Sequence, residues 1–165
     1  MDTEQKLVCL DIQGYPCSSG FIPKELAVYD GERFSTFLFK PPYSRSFLKE
    51  EDLKIVTHLE TKYHGLLWES GFIDLNNFEN VLTSIRLMYD NPKFMIKGDS
   101  KANALKGIFS SDLIFRIPLK TEPKLSKFKK QLECYHHKDF NIWHCACNNV
   151  KLLYNFRYCL LNDLK

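Results

Sequence analysis

Lys6-Leu7-Val8-Cys9-Leu10-Asp11-Ile12-Gln13-Gly14 is a short apolar run that ends in polar residues. That is the pattern of a buried strand. Residues two apart on a strand share a face, so Asp11 and Gln13 project together. Two more β-rich runs follow, Phe21–Tyr29 and Arg33–Phe39, and Asp30-Gly31 between them is a hairpin signal. Lys40-Pro41-Pro42 stops the third strand. The period then changes. Phe47, Leu48, Leu53, Val56, Leu59 and Tyr63 fit helical spacing over Ser46–Tyr63, with Ser46 as a candidate cap and Lys49-Glu50-Glu51 in the first turn.

The rest of the chain alternates. Leu75–Tyr89 reads as a second helix, ended by Asn91-Pro92. Lys93–Lys97 reads as a fourth strand, and Asp99 or Ser100 as the cap of a helix reaching about Phe109. Leu113–Ile117 is a fifth strand closed by Pro118. Lys124–Leu132 reads as a short helix, Cys134–Trp143 as irregular, and Ala146–Leu164 as the last helix. A three-strand meander followed by αβ units implies an α/β fold. It would have a mixed five-stranded sheet with helices on both faces, in a single domain over residues 1–165.

Composition excludes whole classes. Of 165 residues, 44% are hydrophobic and 26% charged, which rules out a disordered tail or a collagen-like chain. No apolar run approaches the ~18 residues of a membrane span. Met1–Tyr15 lacks a basic segment followed by a long apolar one, so the expected location is intracellular, cytoplasmic or nuclear. The balance of 23 Lys+Arg to 20 Asp+Glu is only mildly basic. The basic residues concentrate at Arg116, Lys120, Lys124, Lys127, Lys129 and Lys130, however, a segment that could neutralise phosphates of single-stranded RNA. Phe115, Phe128, Tyr135 and Phe140 are interleaved as stacking candidates, although a solvated helix face is the plainer reading of the segment.

Four motifs occur in a telling order: Asp11-Ile12-Gln13 ending the first strand, His64-Gly65-Leu66 after the first long helix, Lys97-Gly98-Asp99-Ser100-Lys101-Ala102 after the fourth strand, and His144 to Asn149 opening the last helix. This order resembles the RNase H-like fold and, within it, the DEDDh-type 3′–5′ exonucleases. That resemblance implies catalytic positions at Asp11, Gln13, Asp99, His144 and Asn149. In an active member, carboxylates at such positions hold two divalent ions ~3.5–4 Å apart, and a histidine acts as general base. Mg²⁺ or Mn²⁺ needs those anionic oxygens. Here Gln13 stands where the family has Glu, Asn149 where it has Asp, and Asp99 is offset, the usual position aligning nearer Ala102. The expected consequence is a catalytically degenerate domain.

The densest chemistry lies between Glu133 and Cys147. In a reducing compartment, Cys134 and His137 beside His144, Cys145 and Cys147 read as metal ligands rather than disulfide partners. Cys134-x2-His137 has the spacing of one side of a structural zinc site. The other side pairs either as His144-x2-Cys147 or through Cys145. The form through Cys145 resembles Maelstrom-type domains and related insect and viral exonuclease-like proteins, whose zinc set is Glu-Cys-His-Cys. The resemblance favours Cys134, His137 and Cys145, and leaves the fourth ligand open between His144, Cys147 and a distant Glu. The function expected is a degenerate exonuclease-like domain that binds single-stranded RNA or serves as an adaptor, with structural zinc. An active nuclease and a pure protein-interaction module are the alternatives.

Overall fold

The computed structural model describes residues 5–117 and 145–162. Five strands form one sheet: β1 (Lys6–Cys17), β2 (Gly20–Tyr29), β3 (Phe34–Leu38), β4 (Pro92–Ile96) and β5 (Ile114–Arg116). Their order is β3-β2-β1-β4-β5. β1–β2 and β2–β3 pair antiparallel, β1–β4 and β4–β5 parallel, so β2 alone runs against the other four. The described helices are α1 (Glu50–His58), α2 (Phe78–Leu87), α3 (Asp99–Leu105) and α4 (Ala146–Asn162).

The sheet is covered on both faces. Val8, Leu10 and Ile12 of β1 point to one side with Leu26, Val28, Phe94 and Ile96, where Phe78, Leu82 and Ile85 of α2 and Ala102 and Leu105 of α3 close the core. Cys9, Ala27 and Met95 point to the other side, under Ala146, Val150 and Leu153 of α4. Because β1 is buried on both faces, its apolar run is nearly continuous. Each fully buried large side chain contributes about 1.5–3 kcal/mol. A third cluster, Tyr15, Cys17, Ile22, Val56 and Trp68, extends the second face toward α1.

A β-bulge decides which residues share the α4 face. Gln13 pairs with Glu25, yet the next residue, Gly14, pairs with Pro23. Lys24 is therefore the extra residue, and β2 changes face there. Glu25 and Ala27 lie with Asp11, whereas beyond the bulge it is Ile22 that joins the Tyr15 cluster. A Cβ on Gly14 would sit 2.2 Å from the Ile22 carbonyl oxygen, so only glycine lets the strands close at this point. The displaced Lys24 is buried and donates from Nζ to the Trp68 carbonyl (2.7 Å) and to that of Ser70.

Several local expectations change. The helix expected over Ser46–Tyr63 divides, because Leu48 is extended (φ −68°, ψ 136°). Ser44 rather than Ser46 caps the preceding 3-10 turn Arg45–Phe47, and Lys49 precedes α1 without a side-chain cap. α1 then widens into a π turn over Leu59–Tyr63, with the amides of His64 and Gly65 both donating to the Leu59 carbonyl. Neither Asp99 nor Ser100 caps α3: Gly98 holds that place. The helix stops at Leu105 rather than Phe109, because Lys106 is extended. β1 runs on to Cys17 because the pairing with β2 continues to Cys17–Gly20. No described helix is long and apolar enough to cross a membrane. The expected helix Lys124–Leu132 and the irregular Cys134–Trp143 lie outside the described residues.

Candidate functional site

Two buried polar centres sit side by side on the α4 face, and the start of α4 covers both. The first is built on Asp11 in the middle of β1, which is 1% exposed. Lys101, in the first turn of α3, places Nζ 2.5 Å from Asp11 Oδ1. The Gln13 amide donates from Nε2 to Oδ2 (2.9 Å), and Asn149 of α4 donates from Nδ2 to the same oxygen (2.8 Å). Asp11, Gln13 and Asn149, three of the sequence-predicted positions, therefore do converge. A buried carboxylate is costly unless charge and hydrogen bonds answer it, and here both oxygens are answered.

The other predicted positions do not join them. Asp99 is exposed and pairs with Arg116 (2.7 Å), because α3 starts at Asp99 and turns Lys101, two residues on, toward β1. Ala102, nearer the position where the exonucleases it resembles carry an acid, is buried in the core on the opposite face. His64 is a buried turn residue whose Nδ1 accepts from the Leu66 amide (3.1 Å), with Gly65 at φ +67°. His144 lies outside the described residues.

The divalent pair that the exonuclease resemblance implies does not fit this geometry. Positions 13 and 149 offer neutral amides whose nitrogens face the carboxylate, and Asp11 has an ammonium against it. Among the described residues, nothing else in the centre supplies the anionic oxygens that would offset the dehydration of two Mg²⁺ ions.

The second centre is built on Glu25, the register partner of Gln13 and fully buried. Its Oε2 accepts the Ala146 amide (2.9 Å), one of the donors that the start of a helix leaves without an intrahelical acceptor. A carboxylate there also complements the helix dipole. Cys147 Sγ lies 3.4 Å from Glu25 Oε1 and 3.4 Å from Thr36 Oγ1 on β3. Ligand atoms of Glu25, Cys145 and Cys147 all lie within 4.8 Å of one another, and all three residues are buried. One carboxylate and two thiols at that spacing are a donor set suited to zinc. Among the described residues it is the one group of this kind. The other two described cysteines, Cys9 and Cys17, differ. Burial pushes the Cys9 thiol up to about 12 and the Cys17 thiol up to about 11, which leaves both as inert core groups.

The sequence motifs single out neither Glu25 nor Lys101; an unspecified distant Glu is as far as they reach toward the first. Glu25 had a signal, a charge inside the apolar run Phe21–Tyr29. Lys101 had none, since its partner is set by how α3 leaves β4. Cys134 and His137, with Lys120, Lys124, Lys127, Lys129 and Lys130, lie outside the described residues. A cavity of about 670 Å³ opens on the opposite face, lined by Phe21, Phe78, Asn103 and Ile108 among others, and no residue of either centre lines it.

Comparison of the chain with protein-family models, with curated proteins and with solved structures finds no match.

Proposed function

We propose that this chain is a catalytically degenerate exonuclease-like domain of RNase H-like architecture, similar to Maelstrom-type domains, which binds single-stranded RNA and whose last helix is clipped to the sheet by zinc. Three observations support the architecture: the strand order, the reversal of β2 alone, and the arrival of Asn149 from the last helix at Asp11 on the first strand. The observation that carries the degeneracy is the use of Asp11. Its carboxylate serves an ammonium and two amides instead of metal ions.

For zinc, the buried donors fit. Glu25 and Cys145 would hold the ion from the sheet and the start of α4, and Cys134 and His137 would complete four ligands. Cys147 would then donate its thiol to Glu25, holding that carboxylate in place. A zinc so placed supplies folding energy and no chemistry.

The basic residues before the clip, from Arg116 to Lys130, would supply the cations that meet the RNA phosphates. Anisotropy with a labelled single-stranded RNA tests this. The expected result is affinity whose logarithm falls with log salt at a slope of about −2 to −3, as for three or four phosphate contacts. That slope flattens when Lys124, Lys127 and Lys130 are changed together to Ala. Absence of salt-dependent binding overturns the RNA reading in favour of a protein-interaction module. Mn²⁺-dependent digestion of the RNA, abolished by Asp11→Ala, overturns the degeneracy.

A further inference from the structure

The geometry points to Lys101 as a tethered resident cation of the Asp11 centre, an ammonium that takes the charge-balancing place a divalent ion would otherwise hold and so closes the centre to metal. Counting formal charge, Asp11 contributes one negative, Lys101 one positive, and Gln13 and Asn149 none. The set is neutral with the ammonium in it. With Mg²⁺ in place of the ammonium it would carry an uncompensated positive charge beside a carboxylate that is 1% exposed. The two amides and the lysine therefore belong to one arrangement. With Asp11 as its one carboxylate among the described residues, a single positive charge is what the centre balances.

The arrangement is also a junction. Asp11 comes from β1, Lys101 from α3 and Asn149 from α4. Ala102 and Leu105 anchor α3 in the core of one face, while Val150 and Leu153 anchor α4 on the other. Lys101 is about three-quarters covered, so water competes weakly for its ammonium. One carboxylate thus ties together elements packed on opposite sides of the sheet.

This inference shares with the proposed function only the loss of the metal pair, and its readout involves neither RNA nor nuclease activity. The variant Gln13→Glu restores an Asp-x-Glu pair on β1. If the ammonium is what excludes metal, Gln13→Glu alone still fails to take up Mn²⁺, whereas Gln13→Glu with Lys101→Met takes it up. Loss of the free Mn²⁺ paramagnetic resonance signal reads this directly. Saturating Mn²⁺ should raise the Tm of the double variant by about 5 °C and leave Gln13→Glu unmoved. Equal Mn²⁺ uptake by Gln13→Glu with Lys101 in place overturns the inference, as does a folded double variant that takes up none. Should the double variant not fold, Asp11→Asn with Lys101→Met decides. It is expected to be more stable than Lys101→Met alone, because no buried charge is left unanswered. A Tm no higher than that of Lys101→Met overturns the role assigned to Lys101.

Discussion

The Asp11 and Glu25 centres are neighbours on one sheet face, under the first turns of one helix, and each is built on a buried carboxylate. They differ in what surrounds the carboxylate. Asp11 is met by nitrogen: an ammonium and two amide groups. Glu25 is met by a helix-start amide and by sulfur from Cys145 and Cys147. The first set is balanced in charge as it stands. The second is a group of anionic and soft donors that a zinc ion would balance. Ligand chemistry, more than position on the fold, separates a centre whose charge is already balanced from one whose donors suit zinc.

The largest effect expected is at the second centre. Cys145→Ser should cost on the order of 4 kcal/mol, a fall in Tm of roughly 10 °C, because zinc binding energy is folding energy. Elemental analysis should show zinc lost along with the stability, while Asn149→Ala at the first centre leaves zinc content unchanged. Less than one tenth of a zinc per wild-type chain would break the comparison.

Gly14→Ala comes next and strikes both centres, since the bulge beside Gly14 sets Glu25 opposite Gln13. A Cβ 2.2 Å from a backbone oxygen should cost about 3 kcal/mol, read by denaturant midpoint at unchanged m-value.

Asn149→Ala is smaller. It removes one hydrogen bond to a charged group, about 2 kcal/mol. Asn149→Asp should cost at least as much, because it sets a second negative charge against Asp11. That variant sharpens the contrast between the centres if its stability is restored in the Gln13→Glu, Lys101→Met background with Mn²⁺ present.

The smallest effect concerns Lys24, the bulged residue. Burial lowers its ammonium from 10.5 to about 8, against weaker upward pulls from Glu69 and Glu60. The sign follows from proton counting. Between pH 8 and 10.5 the unfolded chain holds this proton more tightly than the folded one, so stability from this group rises with pH across that window. Cys9 and Cys17, whose thiols are pushed up by burial, act in the opposite direction above pH 9. The lysine contribution is therefore the difference between wild type and Lys24→Met. A rise of about 1–2 kcal/mol present in wild type and missing from Lys24→Met is the expected outcome, measured by urea unfolding at pH 8 and 10.5.

Local pattern carried the reading a long way. Lys6–Gly14 reads as a buried strand because every second residue meets one of two apolar layers. Asp30-Gly31 reads as a turn because Asp30 Oδ1 can accept the Glu32 and Arg33 amides, as it does at 2.9 and 2.6 Å. The pairing of Asp11 with Gln13 follows from a two-residue period alone. The break at Leu48 and the early end of α3 were not legible, because both are backbone choices that side-chain period does not record.

Chain order and residue type were thus enough to specify an α/β sheet, its buried first strand and the shared face of Asp11 and Gln13. The identity of Glu25 as a partner of Cys145 and Cys147, and of Lys101 as the counter-charge of Asp11, came only from folding. Those pairs are 120 and 90 positions apart or thereabouts, and no local period links residues that distant. A bulge of one residue and the angle at which a helix leaves a strand decide which of them meet.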